Sequence, residues 1–166
     1  IEAASHMFEK LYVVMPAYNE EANIESVVEQ WYPILKFGSK ESKLVIADAG
    51  SVDKTHKILV NLKKKYPQLE IVSKSLKQHG PKVIYLYKYA IKNNADWIFQ
   101  TDSYGQTNPD EFDEFWNLRN KYDVILGNRT VRGAHLMDSV SFTGSCTVDL
   151  DNLPSEQVLV LKPQNA

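Results

Sequence analysis

The chain has 166 residues, is 43% hydrophobic and 24% charged, and carries 7 glycines and 7 prolines, values that leave room for one globular domain and exclude collagen-like, coiled-coil and wholly disordered architectures. Lys plus Arg number 19 against 21 Asp plus Glu, a formal net charge of -2, so the chain is not built to coat nucleic acid and none is expected as a partner. The single cysteine, Cys146, rules out an intramolecular disulfide and a Cys-based zinc cluster and fits a reducing compartment, and no apolar run reaches the roughly 18 residues of a membrane span.

Residues 1–7 (IEAASHM) read as an expression-tag remnant, because Ser5-His6-Met7 directly before a strand-like run resembles a cloning scar. The fold is therefore sought in residues 8–133. Leu11–Met15 is a short apolar run stopped by Pro16, which suits a buried strand. From Glu21 to about Phe37, apolar residues recur at Ile24, Val27, Val28, Trp31, Ile34 and Leu35, a helical period. Lys43–Asp48 is a second buried strand. Ser51 or Asp53 can cap the next helix, whose apolar stripe is Ile58, Leu59, Leu62 and Tyr66. Leu69–Ser73 is a third strand, and Pro81–Asn94 a helix with proline in its first turn. Trp97–Thr101 is a fourth strand, Pro109–Asn120 a helix with Phe112, Phe115 and Trp116 inward, and Tyr122–Leu126 a fifth strand. From residue 134 to 166 the helical periodicity is lost and only Val158–Leu161 reads as a strand; this tail, of native or foreign origin, is expected to be weakly structured.

Strict alternation of strands and helices, with strands apolar on both faces, calls for an α/β fold: a mostly parallel sheet flanked by helices. In such sheets ligands bind beyond the carboxyl ends of the strands, where the strand order reverses. The residues following the strands are Pro16-Ala17-Tyr18-Asn19-Glu20, then Asp48-Ala49-Gly50-Ser51 with Asp53, then Asp102-Ser103-Tyr104-Gly105-Gln106, and finally Gly127-Asn128-Arg129 with Arg132. Carboxylates suit the donors of a base and the hydroxyls of a sugar, while arginines or a divalent cation suit phosphates. A nucleotide-sugar carries all of these parts. Neither GxGxxG after the first strand nor GxxxxGK[ST] is present, and there is no GxSxG elbow or His-rich metal motif, so dinucleotide-binding, P-loop, serine hydrolase and zinc readings lack support.

Several of these residues also have ordinary structural readings. Asp53 is first a helix cap, and Asp48 can hold the turn before Gly50. Lys63-Lys64-Lys65 reads as a solvated helix face. His56, His79 and His135 have no partner spacing and default to structural or surface roles, and Tyr104 to packing. Tyr85, Leu86, Tyr87 and Tyr89 are too crowded for one helical face, so some are expected outside, toward a membrane or a partner.

Val14-Met15-Pro16-Ala17-Tyr18-Asn19-Glu20-Glu21, Asp48 through Thr55, Gln100 through Gln106 and Gly127-Asn128-Arg129, taken in order and spacing, resemble the successive motifs of family 2 glycosyltransferases with the GT-A fold, nearest to the dolichyl- or polyprenyl-phosphate sugar synthase branch. The resemblance covers about residues 8–132. It implies a GT-A donor-binding domain over residues 8–133, truncated after its donor half. It implies an enzyme that moves a sugar with inversion from a UDP- or GDP-sugar to a lipid phosphate or glycan, at the cytoplasmic side and with peripheral membrane association where the acceptor is a lipid. Pro16, Ala17, Tyr18 and Glu20 would hold base and ribose, with Asp48 standing alone where relatives have paired acids, the second here being Ala49. Gly80 and Lys82 would lie near the donor phosphates, Lys82 at a helix N-terminus. Asp102, with Ser103 beside it, would be the first acid of the family's DxD. Asp102 and Gln106 would hold Mg²⁺ or Mn²⁺, weakened because Tyr104 replaces the second acid. Arg129 and Arg132 would meet phosphate or acceptor. The catalytic base is not recognisable; Asp138 and Asp149 sit in no motif. The alternatives are a non-catalytic nucleotide-sugar-binding module and, behind it, a nucleotidyltransferase.

Overall fold

The computed structural model describes residues 9–75, 77–105 and 108–127 together with the strand Val158–Leu161. Along the chain run β1 (Leu11–Ala17), α1 (Ile24–Trp31), a 3₁₀ segment (Tyr32–Phe37), β2 (Lys43–Asp48), α2 (Thr55–Lys65), β3 (Leu69–Val72), α3 (His79–Lys92), β4 (Trp97–Gln100), a 3₁₀ turn (Pro109–Glu111), α4 (Phe112–Leu118), β5 (Val124–Gly127) and β6 (Val158–Leu161).

The six strands form one sheet in the order β3-β2-β1-β4-β6-β5. The first four run parallel, with Ala17 opposite Asp48, Ala47 opposite Val72 and Val13 opposite Phe99. β6 is antiparallel to both neighbours, Phe99 facing Val160 on one side and Ile125 facing Val160 on the other. Within the stretch expected to be weakly structured, then, the one strand-like run is paired on both edges. A continuous apolar run of four residues was its only signal, and pairing partners far away in the chain complete it.

Alternation along the strands divides the core into two layers. Leu11, Val13, Met15, Leu44, Ile46, Trp97 and Phe99 point to one face, where α1, α2 and α4 bring Ile24, Val28, Trp31, Leu59, Leu62, Phe112 and Trp116. Tyr12, Val14, Val45, Ala47 and Ile98 point to the other, covered by Val83, Leu86, Tyr87 and Ala90 of α3. Rings dominate the first layer: Phe99 lies 4.9 Å from Phe112 and 5.5 Å from Trp31 between centroids, and the second of these pairs links β4 to α1.

Several boundaries depart from expectation: the helix expected over Pro81–Asn94 runs His79–Lys92, and the strand expected over Tyr122–Leu126 runs Val124–Gly127. The helix expected over Glu21–Phe37 is α only to Trp31 and continues as 3₁₀, because Pro33 has no N–H to give to the α ladder. The helix expected over Pro109–Asn120 likewise opens with a 3₁₀ turn, where the Asn108 carboxamide caps Asp110 N–H at 3.0 Å. β1 runs past Pro16 to Ala17. Val14 and Pro16 carbonyls both face β4, accepting from Thr101 N–H and Ser103 Oγ, so the proline's missing N–H falls beyond Gln100, where the β4 ladder has already ended. None of the crowded aromatics of α3 is fully outside: Tyr87 is buried, and Tyr85 and Tyr89 pack half-buried against the second layer. Among the described residues no helix is long and apolar enough to cross a membrane.

Candidate functional site

Because β2, β1 and β4 are adjacent and parallel, their carboxyl ends open at one edge, and the chain's order reverses at β1, with the earlier strands on one side and β4 on the other. That is where an open α/β sheet leaves a crevice. Hydrogen bonds stitch the loops around it into one rim. Asn19, held at φ 50, accepts from Val52 N–H at 2.9 Å through Oδ1 and donates its N–H to Ser51 Oγ at 3.0 Å. Glu20 N–H donates to Thr55 Oγ1 at 2.8 Å, and Lys54 N–H to the Glu21 carboxylate at 3.0 Å. The loop after β1 thus cannot move without the loop after β2.

Asp53 accepts from Thr55 N–H at 2.9 Å and from Glu21 N–H at 3.2 Å. It precedes the N-cap residue Lys54 and holds the turn into α2, a structural role that Ser51 does not share. Ser51 Oγ instead donates to Asp48. Asp48 is buried, and its other carboxylate oxygen lies 3.3 Å from His56 Nδ1. Between them Gly50 takes φ +84, a conformation that side-chain-bearing residues avoid. A Cβ there would also lie 2.9 Å from the Lys77 stem.

At the β4 end, Thr101 N–H holds Val14 C=O and Ser103 Oγ donates to Pro16 C=O at 2.8 Å. Asp102, only 7% exposed, sits between these two anchors, and His79 Nε2 from the first turn of α3 stands 3.9 Å from its Oδ1. Tyr104 is 50% exposed and faces this acidic end rather than packing away. Burial, then Asp102 and Glu20, raise its phenol pKa, so at neutral pH it offers an O–H and not an anion. Burial also raises the pKa of Glu20; a hydrogen bond from Asn23 opposes the shift and Asp53 adds to it.

The predicted residues therefore fall into three groups. Tyr18, which is 51% exposed, and the buried acids Glu20, Asp48 and Asp102 lie at the carboxyl edge of the sheet. Pro16, Ala17 and Ser103 frame it from below, their polar atoms committed to each other or, for Ala17, to Lys82. Lys82 is a correction: its ammonium does not project from the helix N-terminus but is buried, donating to Ala17 C=O at 2.7 Å. Burial pushes its pKa down, and Asp48 pushes it back up. Gly80 has open space around it, so nothing in the packing demands glycine there. Gln106, Arg129 and Arg132, like His135, Asp138 and Asp149, lie outside the described residues.

His56 and His79 were missed as site residues. The available signal was positional: each falls in the first turn of a helix that follows a parallel strand, and that turn opens on the same edge as the strand's carboxyl end. As for a metal, Asp102 supplies a carboxyl group, the oxygen ligand type a hard cation prefers. No three His, Cys, Asp or Glu side chains converge among the described residues. The donor set fits a cation shared with phosphate oxygens, not one caged by the protein alone.

The sequence model of glycosyl transferase family 2 matches residues 12–139. A dolichyl-phosphate beta-glucosyltransferase of Dictyostelium discoideum is 26% identical over 139 residues, 78% of this chain and 41% of its own length. An undecaprenyl-phosphate 4-deoxy-4-formamido-L-arabinose transferase of Photorhabdus laumondii is 27% identical, over 74% of this chain and 38% of its own. The chain thus spans about two-fifths of the length of these curated relatives. Among solved structures, glucosyl-3-phosphoglycerate synthase of Mycobacterium tuberculosis, in complex with Mn²⁺, UDP and glucosyl-3-phosphoglycerate, superposes with a TM-score of 0.53 at 22% identity, covering 73% of this chain and 44% of that one. S. aureus TarS in complex with UDP-GlcNAc gives 0.53 at 22%, covering 69% and 33%. These likenesses establish the GT-A fold, and the family match extends over the three loops that meet at the crevice: the chain belongs to glycosyltransferase family 2.

Proposed function

We propose that this chain is the donor-binding half of an inverting glycosyltransferase that takes a sugar from a UDP- or GDP-sugar and passes it to a polyprenyl phosphate or a glycan. The observation that carries this reading is the single rim made by the loops after β1, β2 and β4, which brings Tyr18, Glu20, Asp48 and Asp102 to one edge. Tyr18 and Glu20 take base and ribose, and Asp48, oriented by Ser51 and His56, accepts from the base. Asp102 stands at the diphosphate end with Gln106, Arg129 and Arg132 as its expected companions. An acceptor oxygen attacks the anomeric carbon, the bond from that carbon to the diphosphate oxygen breaks with inversion, and the nucleoside diphosphate leaves. A lipid phosphate is already an anion, so such an acceptor needs no strong base from the chain. The lipid-linked substrates in the names of the relatives from D. discoideum and P. laumondii favour that acceptor class, and with it a place at the cytoplasmic face of a membrane. Asp102 and Gln106 would hold Mg²⁺ or Mn²⁺, which when bound supplies charge stabilisation to the departing diphosphate.

A thermal-shift series of the chain against UDP- and GDP-sugars, with and without Mn²⁺, tests the donor site, since a ligand that binds only the native state raises its melting temperature. One donor is expected to raise it, and more so with Mn²⁺. No shift with any donor would refute the reading. A pure binding module is the second reading, favoured by the neutral Tyr104 in place of an acid. Restoring that acid separates the two effects. Tyr104→Asp is expected to tighten Mn²⁺-dependent nucleotide binding about tenfold, as an added ionised ligand should, read as the Mn²⁺ concentration giving half the shift. An unchanged midpoint would mean that position 104 does not face the cation.

A further inference from the structure

Lys82 is the only buried lysine among the described residues, with 1% of its surface exposed. It reaches from the first turn of α3 to the end of β1, donating to Ala17 C=O at 2.7 Å, while its Nζ lies 5.2 Å from the centre of the Tyr18 ring. Ala17 is the register partner of Asp48, so the ammonium sits under the junction of the two loops assigned to the nucleoside. A buried cation is kept only where its charge is used. Here it is used on a carbonyl dipole and on the face of an aromatic ring, and the buried Asp48 carboxylate also favours the charged form. A lysine that clasps phosphates needs its ammonium in the crevice, and this one is spent beneath it.

We propose that Lys82 is a positioning residue of the nucleoside subsite, fixing the end of β1 and the Tyr18 ring on which the base rests, and that it does not touch the donor phosphates. This rests on the donor-site reading above.

Titration calorimetry of the whole chain compares UDP with uridine, and GDP with guanosine, in the unaltered protein, Lys82→Met, Tyr18→Ala and the double variant. Lys82→Met is expected to weaken the nucleotide and its nucleoside by the same factor, about tenfold. Adding Tyr18→Ala to it should cost less than about twofold more, because both changes remove one arrangement. A loss confined to the nucleotide, no loss at all, or additive losses would each overturn the proposal. Amine acylation of the unaltered chain, mapped by mass spectrometry, covers a Lys82→Met variant that does not fold. Lys82 should resist labelling with and without UDP or GDP, while exposed Lys64 reacts. Labelling of Lys82 in the free chain, whether or not UDP or GDP protects it, would overturn the proposal. If the unaltered chain binds none of the four compounds, the donor-site reading fails and this inference falls with it; phosphate-selective loss on Lys82→Met overturns the inference alone.

Discussion

Asp102→Asn is expected to cut sugar transfer by more than about 100-fold, the scale on which removal of one charge-stabilising group at a reacting centre is felt, and to erase the Mn²⁺-dependent part of the donor-induced thermal shift. The side chain is nearly buried between two anchored neighbours, with Thr101 N–H on Val14 and Ser103 Oγ on Pro16. The amide keeps the size and one oxygen of the carboxylate, and it exchanges the charge and the other oxygen for an NH₂ donor. The melting temperature without ligand should therefore stay within about 3 °C of the parent, since a neutral group in a partly buried site carries no added desolvation cost. Transfer from the chosen UDP- or GDP-sugar to a polyprenyl phosphate is the readout, with the thermal shift alongside it. Retention of more than a tenth of the activity, or an unchanged Mn²⁺ response, would move the diphosphate end away from β4.

The largest effect on stability should come from Phe99→Ala. Phe99 is 1% exposed in the middle of β4, with Trp31, Phe112 and Phe115 at 5.5, 4.9 and 5.4 Å between ring centres. Removing the ring leaves a cavity walled by three rigid side chains that cannot close over it, at a cost of about 3–5 kcal/mol. Against the roughly 5–15 kcal/mol that holds a domain of this size folded, that is enough to move the urea midpoint far toward zero. Val60→Ala, on the exposed side of α2, serves as the control and should change stability by less than about 0.5 kcal/mol. A loss below 1 kcal/mol for Phe99→Ala would mean that β4 is not the packing centre of the first layer. The same strand delivers Asp102, so the variant should lose donor binding together with structure.

How much of the fold is legible in the sequence follows from the range of the interactions. The strands of β1, β2 and β4 were legible because a strand buried on both faces is built on an apolar run, and LYVVM, LVIA and WIF are such runs. The helical stripes of α1 and α2 were legible for the same reason, since a period of 3.6 is a local property. The identity of the crevice followed from topology: once strands and helices alternate, the residues after the strands must share an edge. Asp48, Asp102, Tyr18 and Glu20 therefore belong to that edge on the sequence alone, and the order of their motifs suffices to suggest the family.

What a sequence could not say was where a long side chain ends. The family resemblance implied Lys82 near the donor phosphates, and its place in a helix's first turn, where the dipole favours anions, suited that role. Its flexible stem carries the charge elsewhere, and only the tertiary structure shows the Ala17 carbonyl and the Tyr18 ring waiting for it. His56 and His79 had no visible partners because Asp48 and Asp102 approach them through packing, not through spacing. The four residues of β6 matched an edge that exists only after β4 and β5 are in place. The sequence by itself thus determined the alternation, the two core faces and the residues gathered at the carboxyl edge, all set by local periodicity and short loops. The tertiary structure decided which of those residues face a ligand and which are turned inward to hold the rim, because that choice depends on partners tens of residues away in the chain.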